Sequence, residues 1–140
     1  MIDFEFIEHT ADVGVRVYAD TSEQLFKNCA EVLFGLILDD RPKPDIEETV
    51  VVEAEDIEEL LITWLNELLS LFFAYRFLPV DYDIILEERE DCKVIKSRIK
   101  GANFDPYQNK IKMEIKAATY HDLKVEKNDS GWIAEIIFDL

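Results

Sequence analysis

From Leu60 to Phe77 almost every residue is apolar, and Leu60, Leu61, Trp64, Leu65, Leu68, Leu71 and Phe72 recur at helical steps. So broad a stripe has to be buried, and any fold open to this chain must lay that helix across another layer. Thr63, Asn66, Glu67 and Arg76 interrupt the run, which a bilayer-spanning helix rarely tolerates, so the segment reads as a core helix. Asp56 followed by Glu59 is an N-cap signature at its start, and Pro79 is expected to end it.

Around this helix the chain alternates between strand and turn signals. Phe4 to Ile7 and Val13 to Ala19 carry the β-branched and aromatic pattern of half-buried strands, with His9 to Asp12 as their connection. Thr21 with Gln24 resembles a capping box, and Leu25, Phe26, Cys29, Ala30, Leu33 and Ile37 mark an amphipathic helix that must stop before Pro42 and Pro44. Ile46 to Ala54 is a strand with a Val50, Val51, Val52 run. Beyond Asp81 the expected strands are Tyr82 to Glu87, Val94 to Ile99, Ile111 to Ala118, Leu123 to Glu126 and Trp132 to Phe138, with turns at Asn103 to Asn109 and Asn128 to Gly131. Two helices among many strands, without regular βαβ alternation, predict an α+β fold: a largely antiparallel sheet packed with two main helices. At 140 residues one domain spanning 1–140 is expected.

Lys plus Arg is 15 and Asp plus Glu is 31, so the formal charge is 15 − 31 = −16. With no basic run to neutralise phosphates, direct, strong nucleic-acid binding is not expected. The same field would steer a basic partner, although acidity also serves solubility alone. Two cysteines, Cys29 and Cys92, make neither a metal knuckle nor a disulfide scaffold, and the start of the chain lacks a signal-peptide pattern. A reducing cytoplasm, away from any membrane, is the expected setting.

Chemistry has few candidates here, because nucleophile motifs, phosphate loops and zinc spacings are missing from the sequence. Asp12 sits in the first connection, where it fits either a functional group on a rigid scaffold or a turn aspartate bonding its own backbone. The apolar strand from Trp132 to Phe138 would hold Asp139 and the α-carboxylate of Leu140 close together. Those two oxyanions with Asp12 would suit a hard cation, and they also fit plain solvated charges at a strand end. Glu114, Lys116, Thr119, Tyr120, His121 and Asp122 form a dense polar stretch, with Glu114 and Lys116 expected on one strand face. His9 and His121 each lie beside acidic or hydroxyl residues and are candidate ligands, proton carriers or structural groups.

Four segments in order then resemble the archease family: His9-Thr10-Ala11-Asp12-Val13-Gly14, Trp64-Leu65-Asn66-Glu67-Leu68, Glu114-Ile115-Lys116-Ala117-Ala118-Thr119-Tyr120-His121, and Ile137-Phe138-Asp139-Leu140. Ala118 departs from a frequent valine. The resemblance implies a protein that is itself no enzyme: an accessory activator of the GTP-dependent tRNA-splicing RNA ligase, promoting its guanylylation and repeated turnover and meeting tRNA only indirectly. It implies a divalent cation, calcium, with magnesium or manganese as alternatives, bound by Asp12, Asp139 and Leu140. Lys116 is implied to matter for activation, and His9 and His121 join it as candidate partner-contact residues. Two other classes remain: a chaperone or specificity factor for another RNA-modifying enzyme such as a tRNA methyltransferase, and a metal-dependent hydrolase using Asp12, Asp139 and His121.

Overall fold

In the computed structural model, which describes residues 2–140, seven strands and two helices follow the order β1 (Phe4–Ile7), β2 (Val13–Ala19), α1 (Ser22–Ile37), β3 (Ile46–Ala54), α2 (Ile57–Tyr75), β4 (Phe77–Glu88), β5 (Lys93–Asn103), β6 (Ala117–Asn128) and β7 (Gly131–Asp139). The strands divide into two antiparallel sheets, one ordered β1-β2-β7-β6 and the other β3-β5-β4. The α+β expectation holds, with two sheets in place of one.

Both helices touch both sheets: α1 packs on β2 and β7 of one sheet and β4 of the other, while α2 packs on β6 and on all three strands of the second sheet. A helix between two layers has to be apolar on more than one side, which explains the breadth of the Leu60–Phe77 stripe. Leu60, Leu61, Ile62, Trp64, Leu65, Leu68, Leu69 and Phe72 of α2 are all buried. Trp64 lies at the centre, its ring 5.9 Å from Phe26 of α1 and 6.1 Å from Tyr82 of β4. Its indole N–H donates to the Ser97 hydroxyl at 3.0 Å, and that hydroxyl donates to the Val50 carbonyl at 2.8 Å, so the one polar atom of the ring is satisfied inside the core.

The caps behave as their chemistry requires. Thr21 accepts from the Gln24 amide at 3.1 Å, and Asp56 accepts from the Glu59 amide at 2.8 Å. At its other end α2 stops earlier than the proline signal implied. Arg76 takes a left-handed conformation (φ 57°) and its amide turns back onto Leu71 and Phe72, so β4 begins at once and Pro79 lies within it. Proline fits there because β4 is an edge strand, and the ladder to β5 shifts between Pro79 and Asp81.

A second correction bears on the site. The expected strand Ile111 to Ala118 does not form: residues 104–116 have irregular backbone, and a single β6 from Ala117 to Asn128 replaces both that strand and the one expected at Leu123 to Glu126. Burial still alternates, with Ile115 fully buried between the exposed Glu114 and Lys116. The segment is anchored by single bonds, Lys112 amide to Ile37 carbonyl at 2.7 Å and Lys116 amide to Asp139 carbonyl at 2.8 Å, and such isolated bonds make no ladder. Among the described residues no helix is long and apolar enough to cross a membrane.

Candidate functional site

Three chain segments meet at one end of the four-stranded sheet. Val13, the first residue of β2, pairs with Phe138, and Ala117, the first of β6, pairs with Asp139, the last of β7. The β1–β2 connection, the end of β7 and the start of β6 are therefore neighbours, although more than a hundred residues separate Asp12 from Ala117. Gly14 permits the approach, since a Cβ there would meet Ile137 Cδ1 at 3.0 Å and the Ile7 carbonyl oxygen at 3.1 Å.

Asp12 and Asp139 extend the paired β2 and β7 by one step beyond Val13↔Phe138, so their carboxylates belong to adjoining chain segments. Asp12 is partly buried and Asp139 and Leu140 are exposed. The Asp139 carbonyl accepts from Lys116, which fixes the main chain beside that carboxylate. Carboxylate oxygens alone form a hard donor set, the kind that suits Ca²⁺, Mg²⁺ or Mn²⁺, and these three residues fit such an ion by chemistry.

The two histidines, distant in sequence, come together. The rings of His9 and His121 lie edge to face with centroids 5.5 Å apart. His9 Nδ1 is buried without a hydrogen-bond partner, 3.9 Å from the nearer Asp12 carboxylate oxygen. His121 is carried on a break in β6, where the pairing with β7 is lost between Thr119 and Lys124. Inside that break Asp122 adopts φ 51°, and in the facing connection Ala11 adopts φ 69°. With Arg76 at its helix cap, these are the non-glycine residues with positive φ among those described, so two of the three flank this one site.

Asn66, a polar residue within the apolar stripe of α2, has a definite task. Its side-chain NH₂ donates to the Ala118 carbonyl at 3.0 Å and its side-chain oxygen accepts from the Ala118 amide at 2.9 Å. The amide thus mimics a strand partner and holds β6 where the break begins. An asparagine interrupting the apolar stripe was the signal that could have found it, because a polar group at such a position has to be paired. Thr119 adds a bond from its hydroxyl to the Ile137 carbonyl at 2.9 Å. Lys116 is exposed and makes no ion pair among the described residues, while Glu114 points to solvent on the same segment.

A hollow of about 710 Å³ lies at the opposite ends of β2 and β7, among Tyr18, Ala19, Asp20, Asn28, Ser130 and Trp132. It contains none of the candidate ligands, so a concave pocket and the carboxylate cluster do not coincide. Burial pushes the Cys29 thiol far above its ordinary range, which leaves that cysteine an inert core residue.

The sequence pattern described as "Archease protein family (MTH1598/TM1083)" matches residues 4–140. The chain is 37% identical over 142 residues to "Protein archease" of Pyrococcus furiosus, with all of both chains covered, and 38% identical over 138 residues to "Protein archease" of Methanopyrus kandleri, covering 98% and 99%. In three dimensions it is similar to the solution structure of Methanobacterium thermoautotrophicum protein 1598, with TM-score 0.84, 27% identity and 98% of each chain covered. It also shares a fold with a Thermotoga maritima protein described as an archease and possible chaperone (TM1083), with TM-score 0.58 and 20% identity over 96% and 94% of the two chains. The motifs at Asp12, Trp64, Lys116 and Asp139 lie within the matched span, and the chain belongs to the archease family.

Proposed function

We propose that this archease is a metal-binding protein cofactor of the GTP-dependent tRNA-splicing RNA ligase, which promotes guanylylation of that enzyme and its repeated turnover. The observation that carries this reading is the meeting of Asp12, Asp139 and Lys116 at one end of the four-stranded sheet, from three segments far apart in sequence. A divalent cation held by Asp12, Asp139 and Leu140 would supply positive charge for phosphate oxygens during nucleotide transfer. The chain's own residues orient that end of the molecule: Asn66 fixes β6, the Lys116 amide fixes the end of β7, and the exposed Lys116 side chain, without an ion pair among the described residues, can meet an acidic group or a phosphate. A charge of −16 favours a basic protein partner over nucleic acid.

Ligase guanylylation and multiple-turnover ligation with and without the protein test the proposal. Asp12→Ala and Asp139→Ala should weaken calcium binding and stimulation together, and Lys116→Ala should cost stimulation while stability stays within about 0.5 kcal/mol of wild type. Two residues appended after Leu140 should do the same through the displaced carboxylate, with an N-terminal extension of equal length as control. Undiminished stimulation by all of these variants would sink the proposal. A chaperone role for another RNA-modifying enzyme draws support from Phe73 and Tyr75, 52% and 75% exposed at the end of α2. Co-purification with a tRNA methyltransferase and no response of the ligase would favour that reading.

A further inference from the structure

We propose that His9, His121 and Asp122 form a second cation site, with mixed nitrogen and oxygen donors suited to Zn²⁺ or a neighbouring divalent transition ion, adjoining the all-oxygen group of Asp12, Asp139 and Leu140. One ligand atom from each of the three residues lies within 4.8 Å of the others, and His121 Nε2 is 3.4 Å from an Asp122 carboxylate oxygen. Tetrahedral zinc with bonds of about 2.0–2.2 Å separates its ligands by roughly 3.3 Å, so the set must close by about 1.5 Å at most. Side-chain rotation supplies that movement, because the His121 and Asp122 side chains are 66% and 70% exposed.

The backbone is already committed. The break between Thr119 and Lys124 projects His121 and Asp122 together, and the left-handed Asp122 stores strain that a plain ladder would not need. On the other side of the site His9 Nδ1 is buried, unpartnered and turned toward Asp12, which leaves Nε2 as the nitrogen for a metal. Binding would draw Nδ1–H and the Asp12 carboxylate into a hydrogen bond, the carboxylate–histidine–metal arrangement that fixes a ligand's tautomer. Imidazole selects Zn²⁺, Co²⁺, Ni²⁺ or Cu²⁺ over Ca²⁺, so the two groups of donors would sort ions by softness. Water would complete the coordination on the exposed side.

Zinc titration by calorimetry and the visible absorption of the Co²⁺ form test the site on the isolated protein, so the outcome does not depend on the ligase. Wild type should bind one Zn²⁺ that millimolar Ca²⁺ does not displace, and Co²⁺ should give tetrahedral absorption. His121→Ala and Asp122→Ala, both at exposed positions, should keep the fold by circular dichroism and each lose at least tenfold in zinc affinity. His9→Gln should lose at least as much. No zinc binding by wild type, zinc affinity within twofold of wild type in His121→Ala, or stoichiometric displacement of zinc by calcium would overturn the proposal.

Discussion

The two sheets are built from the same kinds of residue and behave differently. In the three-stranded sheet the β3–β5 pairing runs unbroken from Ile46↔Gly101 to Ala54↔Lys93, and β4–β5 shifts once, at Pro79/Asp81. Its solvent face is stitched by ordinary exposed pairs such as Lys96 with Glu87 at 3.1 Å and Arg98 with Glu47 at 3.2 Å. The four-stranded sheet gives up its ladder between Thr119 and Lys124, admits left-handed backbone at Ala11 and Asp122, and leaves His9 Nδ1 without a partner. Regular pairing is the low-energy default, and the sheet that forgoes it does so beside the carboxylates and histidines of the two proposed cation sites. Both sheets serve as walls for the helical layer, α1 leaning mainly on β2 and β7 and α2 reaching β6 as well as the regular sheet.

The largest expected effect removes the element both sheets share. Trp64→Ala should lose about 3–5 kcal/mol in denaturant unfolding, because it empties a fully buried site and removes the donor to the Ser97 hydroxyl, which keeps only its bond to the Val50 carbonyl. If one sheet kept its amide-exchange protection in this variant while the other lost it, the helical layer would not be common to both. Asn66→Ala should cost roughly 1–3 kcal/mol by leaving Ala118 unpaired, and amide exchange should quicken at the start of β6 before it does in β3 or β5. Equal acceleration in both sheets would show that Asn66 acts on the core as a whole.

Asp122→Gly should do the opposite for stability, raising it by about 0.5–1 kcal/mol in thermal unfolding as left-handed strain is relieved, while zinc affinity falls. The smallest effect compares the sheets through their surface charges. The hydrogen bond from Arg16, with a second from Tyr18, holds the Glu5 carboxyl below its ordinary value of 4.5. A depressed folded-state value means that Glu5 stabilises above the unfolded value and that this contribution is lost as pH falls through the folded one. Glu87 is lowered likewise, by Lys96 first and then Arg89, so acid should weaken both sheets alike. Arg16→Gln should flatten the acid limb of the stability curve measured by denaturant midpoints, and Lys96→Gln should do so to a similar extent. An acid limb unchanged by Arg16→Gln would show that Glu5 is as free as any solvated carboxylate.

Local chemistry was enough for much of the molecule. Thr21 and Asp56 announced both helix starts, because a capping oxygen three residues before an amide is a contact within one turn. Strand positions through Ala54 and at Trp132 to Phe138 followed from alternation, and the charge of −16 followed from counting. Asp12, Lys116 and Asp139 were legible as members of ordered motifs. What only the tertiary structure decided depends on partners remote in the chain. The division into two sheets, the irregular path of residues 104–116 and the break in β6 are outcomes of competition for hydrogen-bond partners, which no local window contains. The approach of His9 to His121, 112 positions apart by their numbering, exists because β7 lies between β2 and β6. Side-chain periodicity tells a residue which face it occupies, and strand order alone tells it which neighbour it will meet there.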